Sequence, residues 1–287
     1  MSSHTAITQR VTTSLLDAIR SPLFDLGVYD PTAFDGDGCM MLRTWPAAEL
    51  LSNLDWLRHR NAKGNAIYIR PANEHPYSLI DDLSADAVKQ MQSTGFSPCA
   101  IVETSANNFQ CWVCHGETLP TKVSSAAAKL LAERFSGDLG AAAWRQFGRL
   151  PGFTNSKPKH RLANGMQPFV RLHVAKRVVY PEAPSVIQIA RETVTASETK
   201  PQRPPSAYTS VTTTKQLSDF HADSRYGGDL HRADLAWATY ALTHGLSPTL
   251  VADRLAERDL SHKGSVARQH QYVERTIAKA LDQVTII

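Results

Sequence analysis

The sequence predicts an α+β protein in which strands and helices alternate, followed by a segment that is wholly helical. Residues 100–104 and 108–113 read as two strands joined by a polar turn, which is typical of a hairpin. Apolar residues recur at helical spacing over 7–20 and 122–135. From about residue 229 the pattern is helical only. Hairpins together with flanking helices favour α+β over strict βαβ repetition.

The first half of the chain supplies most of the predicted elements. A helix with Pro46 in its first turn and Gly64 as its C-cap is predicted over 46–60, and another helix begins at Ser84 and runs to about residue 92. The remaining predicted elements are strands over 24–29, 40–43, 65–70 and 77–82 and a turn at 35–38.

The second half divides into a linker and a helical module. Residues 181–216 hold five prolines with many Thr and Ser, which is typical of a linker, and a helix is predicted near 185–199. Helices over 234–244, 247–258 and 268–283 form a small module. We therefore predict three parts, with bounds 1–180, 181–216 and 217–287.

Composition excludes several classes of protein. With 287 residues, 42% hydrophobic and 20% charged, the chain is neither a disordered tail, a fibrous repeat nor a small disulfide scaffold. No apolar run approaches the roughly 20 residues needed to span a bilayer. The first ten residues lack the pattern of a signal peptide, so we expect a cytoplasmic protein without a membrane partner.

Four cysteines are too few and too unevenly spaced for a disulfide framework. Residues 111–115 spell the C-x-x-C-H pattern of covalent haem attachment, which belongs in an exported protein. The same residues continue an extended stretch in which Cys and Trp are typical of a half-buried strand. A second Cys/His pair at zinc-finger spacing is absent from the sequence. A structural strand is the preferred interpretation.

The formal net charge of +4 is unevenly distributed. Residues 139–177 contain eight Lys or Arg and no Asp or Glu, with aromatic residues interleaved. A solvated basic face is the simplest alternative, but so long a run within folded segments favours phosphate binding. The loop over 152–160 offers Lys157, Lys159 and His160 to a triphosphate or a template phosphate.

Acidic residues flank this basic run. Asp81 and Asp82 end an apolar strand, and Asp138 immediately precedes the run. Carboxylates beside a cationic surface suit a divalent-metal site for phosphoryl chemistry. The alternative is that the acidic pair before Leu83 and Ser84 caps a helix.

Several motifs occur in the same order over nearly the whole chain. They are Trp56-Leu57, Asn61 to Gly64, Ile67 to Ala72, Ile80 to Ser84, Val102 to Ser105, Asn108 to Gln110, Trp112-Val113, Phe147 to Asn155, Lys157, Lys159-His160 and Tyr272 to Lys279. With these motifs the sequence resembles the RepB-prime type of plasmid replication primase, a divergent relative of the archaeo-eukaryotic primases.

The resemblance implies a catalytic domain over 1–180 with a small antiparallel sheet and flanking helices, then a connector and a helical bundle. It implies that Asp81, Asp82 and Asp138 bind two Mg²⁺ or Mn²⁺ ions. The residues expected to bind the nucleotide are Arg70, Ser105, Asn108, Gln110, Lys157, Lys159 and His160. Those expected to bind DNA are Arg145, Arg149, Asn155 and Arg161.

One motif departs from the pattern of the broader superfamily, and two of the expectations carry alternatives. Primases of the broader superfamily have Ser-x-His where this chain has Asn108-Phe-Gln110, and Gln110 donates a hydrogen bond but carries no charge. Arg149 is a candidate for a template or nucleotide phosphate, or else a structural ion-pair partner. The helical module is expected to help hold the initiating nucleotide or the template, or else to be a packing bundle with a basic surface.

The implied activity is DNA-dependent primer synthesis on a single-stranded origin template, by nucleotidyl transfer from nucleoside triphosphates. A replicative helicase is an expected partner. Two rivals remain at this point. One is a non-catalytic protein that binds single-stranded origin DNA through the basic run. The other is a nuclease that uses the same metal site.

Overall fold

The computed structural model describes residues 3–33, 38–199, 215–264 and 266–286. Three residues of the predicted turn, 35–37, and most of the C-terminal half of the predicted linker, 200–214, lie outside the described residues. The chain divides into two compact units, Met1–Ala196 and Ser197–Ile287. The first unit therefore extends past the predicted boundary at residue 180.

The first unit combines eight described strands with six described helices. The strands are β1 (Phe24–Asp30), β2 (Cys39–Trp45), β3 (Ala66–Pro71), β4 (Tyr77–Leu83), β5 (Ala100–Ser105), β6 (Asn108–Cys114), β7 (Gly148–Arg149) and β8 (Arg171–Ala175). The helices are α1 (Ser3–Ala18), α2 (Ala47–Ser52), α3 (Leu54–Ala62), α4 (Ala85–Ser93), α5 (Thr121–Phe135) and α6 (Ala183–Thr199).

The strands form two antiparallel sheets of four strands each. Sheet A has the order β2-β1-β3-β7, and sheet B has the order β4-β6-β5-β8. All of their pairings are antiparallel. The α+β class and the small antiparallel sheet with flanking helices are confirmed, with two such sheets present.

Sheet B lies between two hydrophobic cores. One core joins it to sheet A, α1 and α3 through side chains such as Leu26, Ile69 and Trp112. The other core lies between its opposite face and α4, α5 and α6, through side chains such as Ile101 and Leu131. Because α6 contributes Val186, Ile187 and Ala190 to this second core, the N-terminal half of the predicted linker belongs to the first unit.

Two local features differ from the prediction. The helix expected over 46–60 is divided into α2 and α3 at Asn53, whose side-chain amide donates to the Glu49 carbonyl at 2.8 Å. Asn competes in this way with the helical hydrogen bonds of the backbone. The strands β7 and β8, which complete the two sheets, lie inside the basic run, where we predicted no strand.

The second unit contains α7 (Leu217–Ala222), α8 (Leu230–Thr243), α9 (Pro248–Ala256) and α10 (Val266–Ile286). Its polar centre is Asp234, which is fully buried. The carboxylate pairs with Arg258 at 2.8 Å and His221 at 2.7 Å, and it accepts from the Tyr272 hydroxyl. A buried carboxylate requires such partners, and these join α7, α8, α10 and the segment after α9. The predicted helical bundle is confirmed.

Within the described residues, no helix is both long and apolar enough to cross a membrane. The cysteines of the C-x-x-C-H pattern lie on β6 and are not in a disulfide. Cys111 is fully buried, and burial raises the pKa of its thiol. The structural interpretation of this pattern therefore agrees with the structure.

His115, the last residue of that pattern, links sheet B to the start of α6. Its Nε2 lies 2.9 Å from Ser78 Oγ and its Nδ1 lies 2.9 Å from the Tyr180 hydroxyl. Burial lowers the pKa of His115 from 6.5 to about 4, with a smaller contribution from the charge of His75. The folded protein therefore holds this ring neutral.

We expect His115 to make the free energy of unfolding fall with acidification below pH 6.5. The unfolded chain takes up a proton there, whereas the folded ring stays neutral until about pH 4. This difference removes up to about 3 kcal/mol by pH 4. Urea titrations at several pH values should show a flatter acid limb for His115→Gln than for the wild type. The matched control, His59→Gln on an exposed histidine, should keep the wild-type slope.

Candidate active site

The acidic pair lies at a β-bulge in β4. The register with β6 shifts between Ile80 and Leu83, and Asp82 has a left-handed backbone with φ of 63°. A bulge leaves extra residues unpaired and redirects their side chains, and Asp tolerates the left-handed region better than most residues. Ser84 caps α4 through its hydroxyl, which accepts from the Ala87 amide at 3.1 Å. Because Ser84 fills that role, the helix-cap alternative for the acidic pair is not needed.

Two amide side chains of β6 fix these carboxylates. Gln110 Nε2 donates to Asp81 Oδ1 at 2.9 Å, and Asn108 Nδ2 donates to Asp82 Oδ1. Gln110 Oε1 accepts the backbone N–H of Arg149 at 2.8 Å, so this amide joins sheet B to sheet A. The Asn108 side-chain oxygen accepts from the Thr104 hydroxyl at 3.0 Å. Both amides were predicted to bind the nucleotide. In the structure both ends of each amide are bonded to other groups of the protein, and their nucleotide role stays a prediction.

Burial is the main influence on Asp81, and it raises the pKa of this carboxyl. The hydrogen bonds from Gln110 and from the Asp82 backbone lower it, while the neighbouring Asp82 charge raises it. The Lys157 ammonium also lowers it, which shows that the basic loop acts on this carboxylate. Asp81 is partly buried and Asp82 is exposed, and a cation that reaches this pair favours its charged form.

Asp138 is brought to Asp81 by the end of α5. Ser136 closes the helix in a left-handed conformation, and the Asp138 amide donates to the Asp81 carbonyl at 3.0 Å. Gly137 is required for this approach, because a Cβ there would lie 2.9 Å from the same carbonyl. The Asp138 carboxylate accepts from the Gly140 amide at 2.8 Å and caps a short helical turn.

The fold places the three carboxylates that were predicted to bind metal in different ways. Within the residues that the structure describes, no group of three or more His, Cys, Asp or Glu side chains is arranged to hold a metal. Asp138 approaches Asp81 through its main chain, while its carboxylate is engaged by Gly140. Asp81 and Asp82 are the pair that the fold brings together.

Arg149 is buried beside the acidic pair, with only 4% of the residue exposed. Its guanidinium lies 4.9 Å from the centre of the Tyr68 ring. Among the described residues, neither Nη1 nor Nη2 has a hydrogen-bond partner. Burial lowers the pKa of Arg149, and the nearby Tyr68 and Asp81 raise it. The alternative of a structural ion pair is not realised in the described part of the chain.

The basic loop lies close enough to act on the same groups. Its residues Pro158–His160 form a short helical turn, with Lys157 and Lys159 exposed. Partial burial lowers the pKa of His160, and the positive charges of Lys159, Lys157 and Arg149 lower it further. The charge of Asp82 raises it. The predicted cations of this loop therefore share one electrostatic environment with the acidic pair.

Two residues that were predicted to bind nucleotide or DNA, Arg70 and Asn155, make contacts within the protein. Arg70 pairs with Asp25 at 2.8 Å, donates to the Arg145 carbonyl and stacks 4.4 Å from the centre of the Phe147 ring. Its charge is paired within the fold, and the nucleotide role of Arg70 stays a prediction. Asn155 is 1% exposed and donates to the Thr104 carbonyl at 2.8 Å. The Asn155 side-chain oxygen also accepts from the Lys157 amide at 3.2 Å, so this buried side chain supports the basic loop, and its contact with DNA stays a prediction.

The roles of the other predicted residues stay predictions. Arg145 and Arg161 are exposed, and the Ser105 backbone pairs with Asn108 at the end of the β5–β6 hairpin. One residue was missed. Tyr68 was not predicted as a site residue, although it lies two positions before Arg70 on β3 and therefore on the same face of the strand. This two-residue spacing was the sequence signal that could have identified Tyr68.

The hydrogen bond from Gln110 generates a direct prediction for Asp81. In Gln110→Met the donor is lost, and since that bond favours the charged carboxylate, the pKa of Asp81 should rise further. The ¹³C signal of the Asp81 carboxyl, assigned with Asp81→Asn, reports this pKa directly. Gln92→Met on the exposed face of α4 is the matched control and should leave the titration unchanged. An unchanged Asp81 titration in Gln110→Met contradicts the positioning role.

The chain resembles known proteins over most of its length. The family described as RepB DNA-primase N-terminal domain matches residues 40–200. Mobilization protein A of Escherichia coli is 32% identical over 282 residues, which cover 93% of this chain and 39% of that protein. A DNA primase of Acidithiobacillus ferrooxidans is 29% identical over 127 residues, covering 40% of this chain and 34% of that protein. The chain thus spans 39% and 34% of the lengths of these relatives.

Two solved structures are similar in fold and sequence. The primase RepB′ has 31% identity and a TM-score of 0.63, covering 96% of this chain and 94% of that one. The catalytic domain of primase RepB′ in complex with initiator DNA has 35% identity and a TM-score of 0.62, covering 68% and 98%. Since the family match spans 161 of 287 residues and RepB′ is similar over nearly the whole chain, this protein belongs to the RepB DNA-primase N-terminal domain family.

Proposed function

We propose that this protein is a DNA-dependent primase that starts a strand on a single-stranded template without a pre-existing primer. One observation carries the proposal. The bulge in β4 presents Asp81 and Asp82 where the two sheets meet, beside the buried cation Arg149 and the basic loop. Carboxylates facing cations are the arrangement that phosphoryl transfer from a triphosphate needs. The family relationship supports the same activity.

Asp81 and Asp82 fit a divalent cation. Each uses Oδ1 for its described hydrogen bonds, and oxygen ligands from one or two carboxylates together with substrate phosphates are typical of Mg²⁺ sites. Asp138 stays a predicted third ligand: its backbone amide is bonded to the Asp81 carbonyl, and the Gly140 amide is bonded to Oδ1 of its carboxylate. A bound Mg²⁺ or Mn²⁺ would neutralise phosphate charge and activate the attacking 3′-hydroxyl.

The protein itself contributes positioning and charge. Gln110 and Asn108 hold the two carboxylates in place, and no protein nucleophile is needed for in-line transfer. Arg149 and Lys157 are the cations that we assign to the triphosphate, and His160 is assigned to it as a hydrogen-bond donor. Lys159 is exposed on the same turn and extends that surface toward a template strand.

The setting of the reaction is part of the proposal. We propose the cytoplasm as its compartment and a replicative helicase as a partner that continues from the primer. A non-catalytic protein binding single-stranded origin DNA is the second candidate, since the basic loop alone accounts for DNA affinity. A nuclease with the same carboxylates is the third.

Asp82→Asn separates these candidates. Asn accepts the left-handed backbone and removes only the charge, so the fold should be retained. We expect primer synthesis on single-stranded DNA with nucleoside triphosphates and Mg²⁺ or Mn²⁺ to fall by at least about 100-fold. Affinity for the template should change little. Asp86→Asn, an exposed acid paired with Lys89 on α4, is the matched control and should retain activity.

The reaction products distinguish the primase, the nuclease and the non-catalytic DNA-binding protein. Short new oligonucleotides from the wild-type protein support the primase, whereas template degradation indicates the nuclease. Template binding without products, on every single-stranded template including plasmid origins, indicates the non-catalytic protein and contradicts the proposal. Wild-type activity in Asp82→Asn contradicts the assignment of the site.

Arg149→Met tests the assigned triphosphate cation. The substitution removes a buried charge whose Nη atoms have no hydrogen bond to any described residue, so the free energy of unfolding should stay level or rise by about 1–2 kcal/mol. The KM for the incoming nucleotide should rise about 10- to 100-fold, the scale of a lost charge-assisted bond. Arg149→Lys should recover part of this affinity. A destabilised variant with an unchanged KM shows instead that the guanidinium is structural.

A further inference from the structure

The outer face of sheet A, which points away from the core, carries apolar side chains. Antiparallel sheets normally present polar residues on the face that lies away from the core. Here Leu42 is 53% exposed and Met40 is 38% exposed, both on the edge strand β2. Tyr29 and Tyr68 are half-buried on the same face. We call Met40, Leu42, Tyr29 and Tyr68 the sheet A platform.

The register connects this platform to the candidate active site. Leu42 pairs with Gly27, Gly27 pairs with Tyr68, and Tyr68 pairs with Arg149. Residues directly opposite each other lie on the same face of a sheet. At a strand spacing of about 4.8 Å, the row from Arg149 to Leu42 extends about 14 Å away from the acidic pair. The pKa of Tyr68, raised chiefly by burial, also responds to the charges of Arg149 and Asp81.

Glycine at position 27 makes the platform continuous. A Cβ at Gly27 would lie 2.7 Å from Met40 Sδ and 3.4 Å from Tyr68 Cβ. Without it, the Met40 side chain lies over the β1 backbone between Leu42 and Tyr68. Methionine is flexible and polarisable, so it adapts to flat partners of different shape.

The charges near the platform favour an anionic partner. Asp25 is the acid that sheet A places on this face, and Arg70 neutralises it at 2.8 Å. Arg149 marks one end of the row, and the cations of the basic loop act on the same site. A flat apolar surface that begins at cations suits nucleic acid, because bases stack on aromatic rings and pack against aliphatic side chains while phosphates meet cations.

We propose that the sheet A platform binds the unpaired bases of the nucleic acid strand that leads into the candidate active site. This rests on the proposed function, since the strand is the one that the site would copy or extend. The bases pack against Leu42 and Met40 and stack on Tyr68, and the backbone of the strand lies toward Arg149 and Lys157. The platform contributes affinity through contact with bases, and the loop contributes it through charge.

The test separates these two contributions by their salt dependence. The full chain is titrated into a fluorescein-labelled oligothymidylate without divalent cations, at several salt concentrations. The double substitution Met40→Ser with Leu42→Ser should raise the Kd about 10-fold, the scale of lost apolar contact with the bases. The slope of log K against log salt should not change, because no phosphate contact is lost. Lys157→Ala should instead reduce that slope by about 1.

The matched control is Val179→Ser with Ile189→Ser, which removes two comparably exposed apolar side chains, 49% and 46% exposed, outside the sheet. It should bind as the wild type does. Thermal melting confirms that both variants fold. An unchanged Kd in the platform variant overturns the proposal, as does a changed salt slope. An unchanged Kd with an altered oligomeric state assigns the face to contact between copies of the chain.

The DNA affinity of the platform variant is measured without catalysis, so it can be interpreted separately from primer synthesis. If the wild-type protein makes no primers but the platform variant alone loses affinity with an unchanged slope, the proposed function fails and the platform stands. If primers are made and the platform variant binds normally, the platform fails and the proposed function stands.

Discussion

The arrangement of the site depends on the amide of Gln110. One end accepts the Arg149 backbone amide from sheet A, and the other end donates to Asp81 on sheet B. Since the first contact leaves the side-chain nitrogen as the group that faces Asp81, the orientation of the amide is determined. A carboxylate at position 110 could not donate to Asp81, and a cation there could not accept from the Arg149 amide. The uncharged residue therefore couples the placement of the cation to that of the carboxylate.

Local sequence patterns predicted most of the elements. The helices α1, α4 and α5 and the strands β1 to β6 follow from apolar periodicity and from turn and cap residues, which act over a few positions. The acidic pair was found for the same reason, because two carboxylates directly after an apolar strand are visible without a structure. The strand β8 was recognisable in principle, since Leu172 and Val174 alternate with exposed Arg171 and His173. The two-residue strand β7 is too short to leave a pattern.

The roles of polar side chains depend on partners far away in the chain. Arg70 is neutralised by Asp25, 45 residues away, and Asn155 is bonded to Thr104, 51 residues away. A cation or an amide in a strand or loop looks the same in the sequence whether it meets a ligand or another part of the fold. For the same reason the basic run mixes residues of different kinds. Buried Arg149 and exposed Lys157 belong to one run but lie in different environments.

The left-handed backbone at Asp82 has a consequence for how this chain can vary. A β-branched residue or alanine there would strain the backbone by about 1–2 kcal/mol, while glycine would relax it. Glycine, which best suits this backbone, therefore lacks the carboxylate. Asp supplies the carboxylate but suits the backbone less well than glycine does. Only Asp combines a short acidic side chain with tolerance of that conformation, since the longer Glu is not enriched there. Variation at this position is thus limited by conformation and by charge together, and a search for more stable variants would tend to remove the acid.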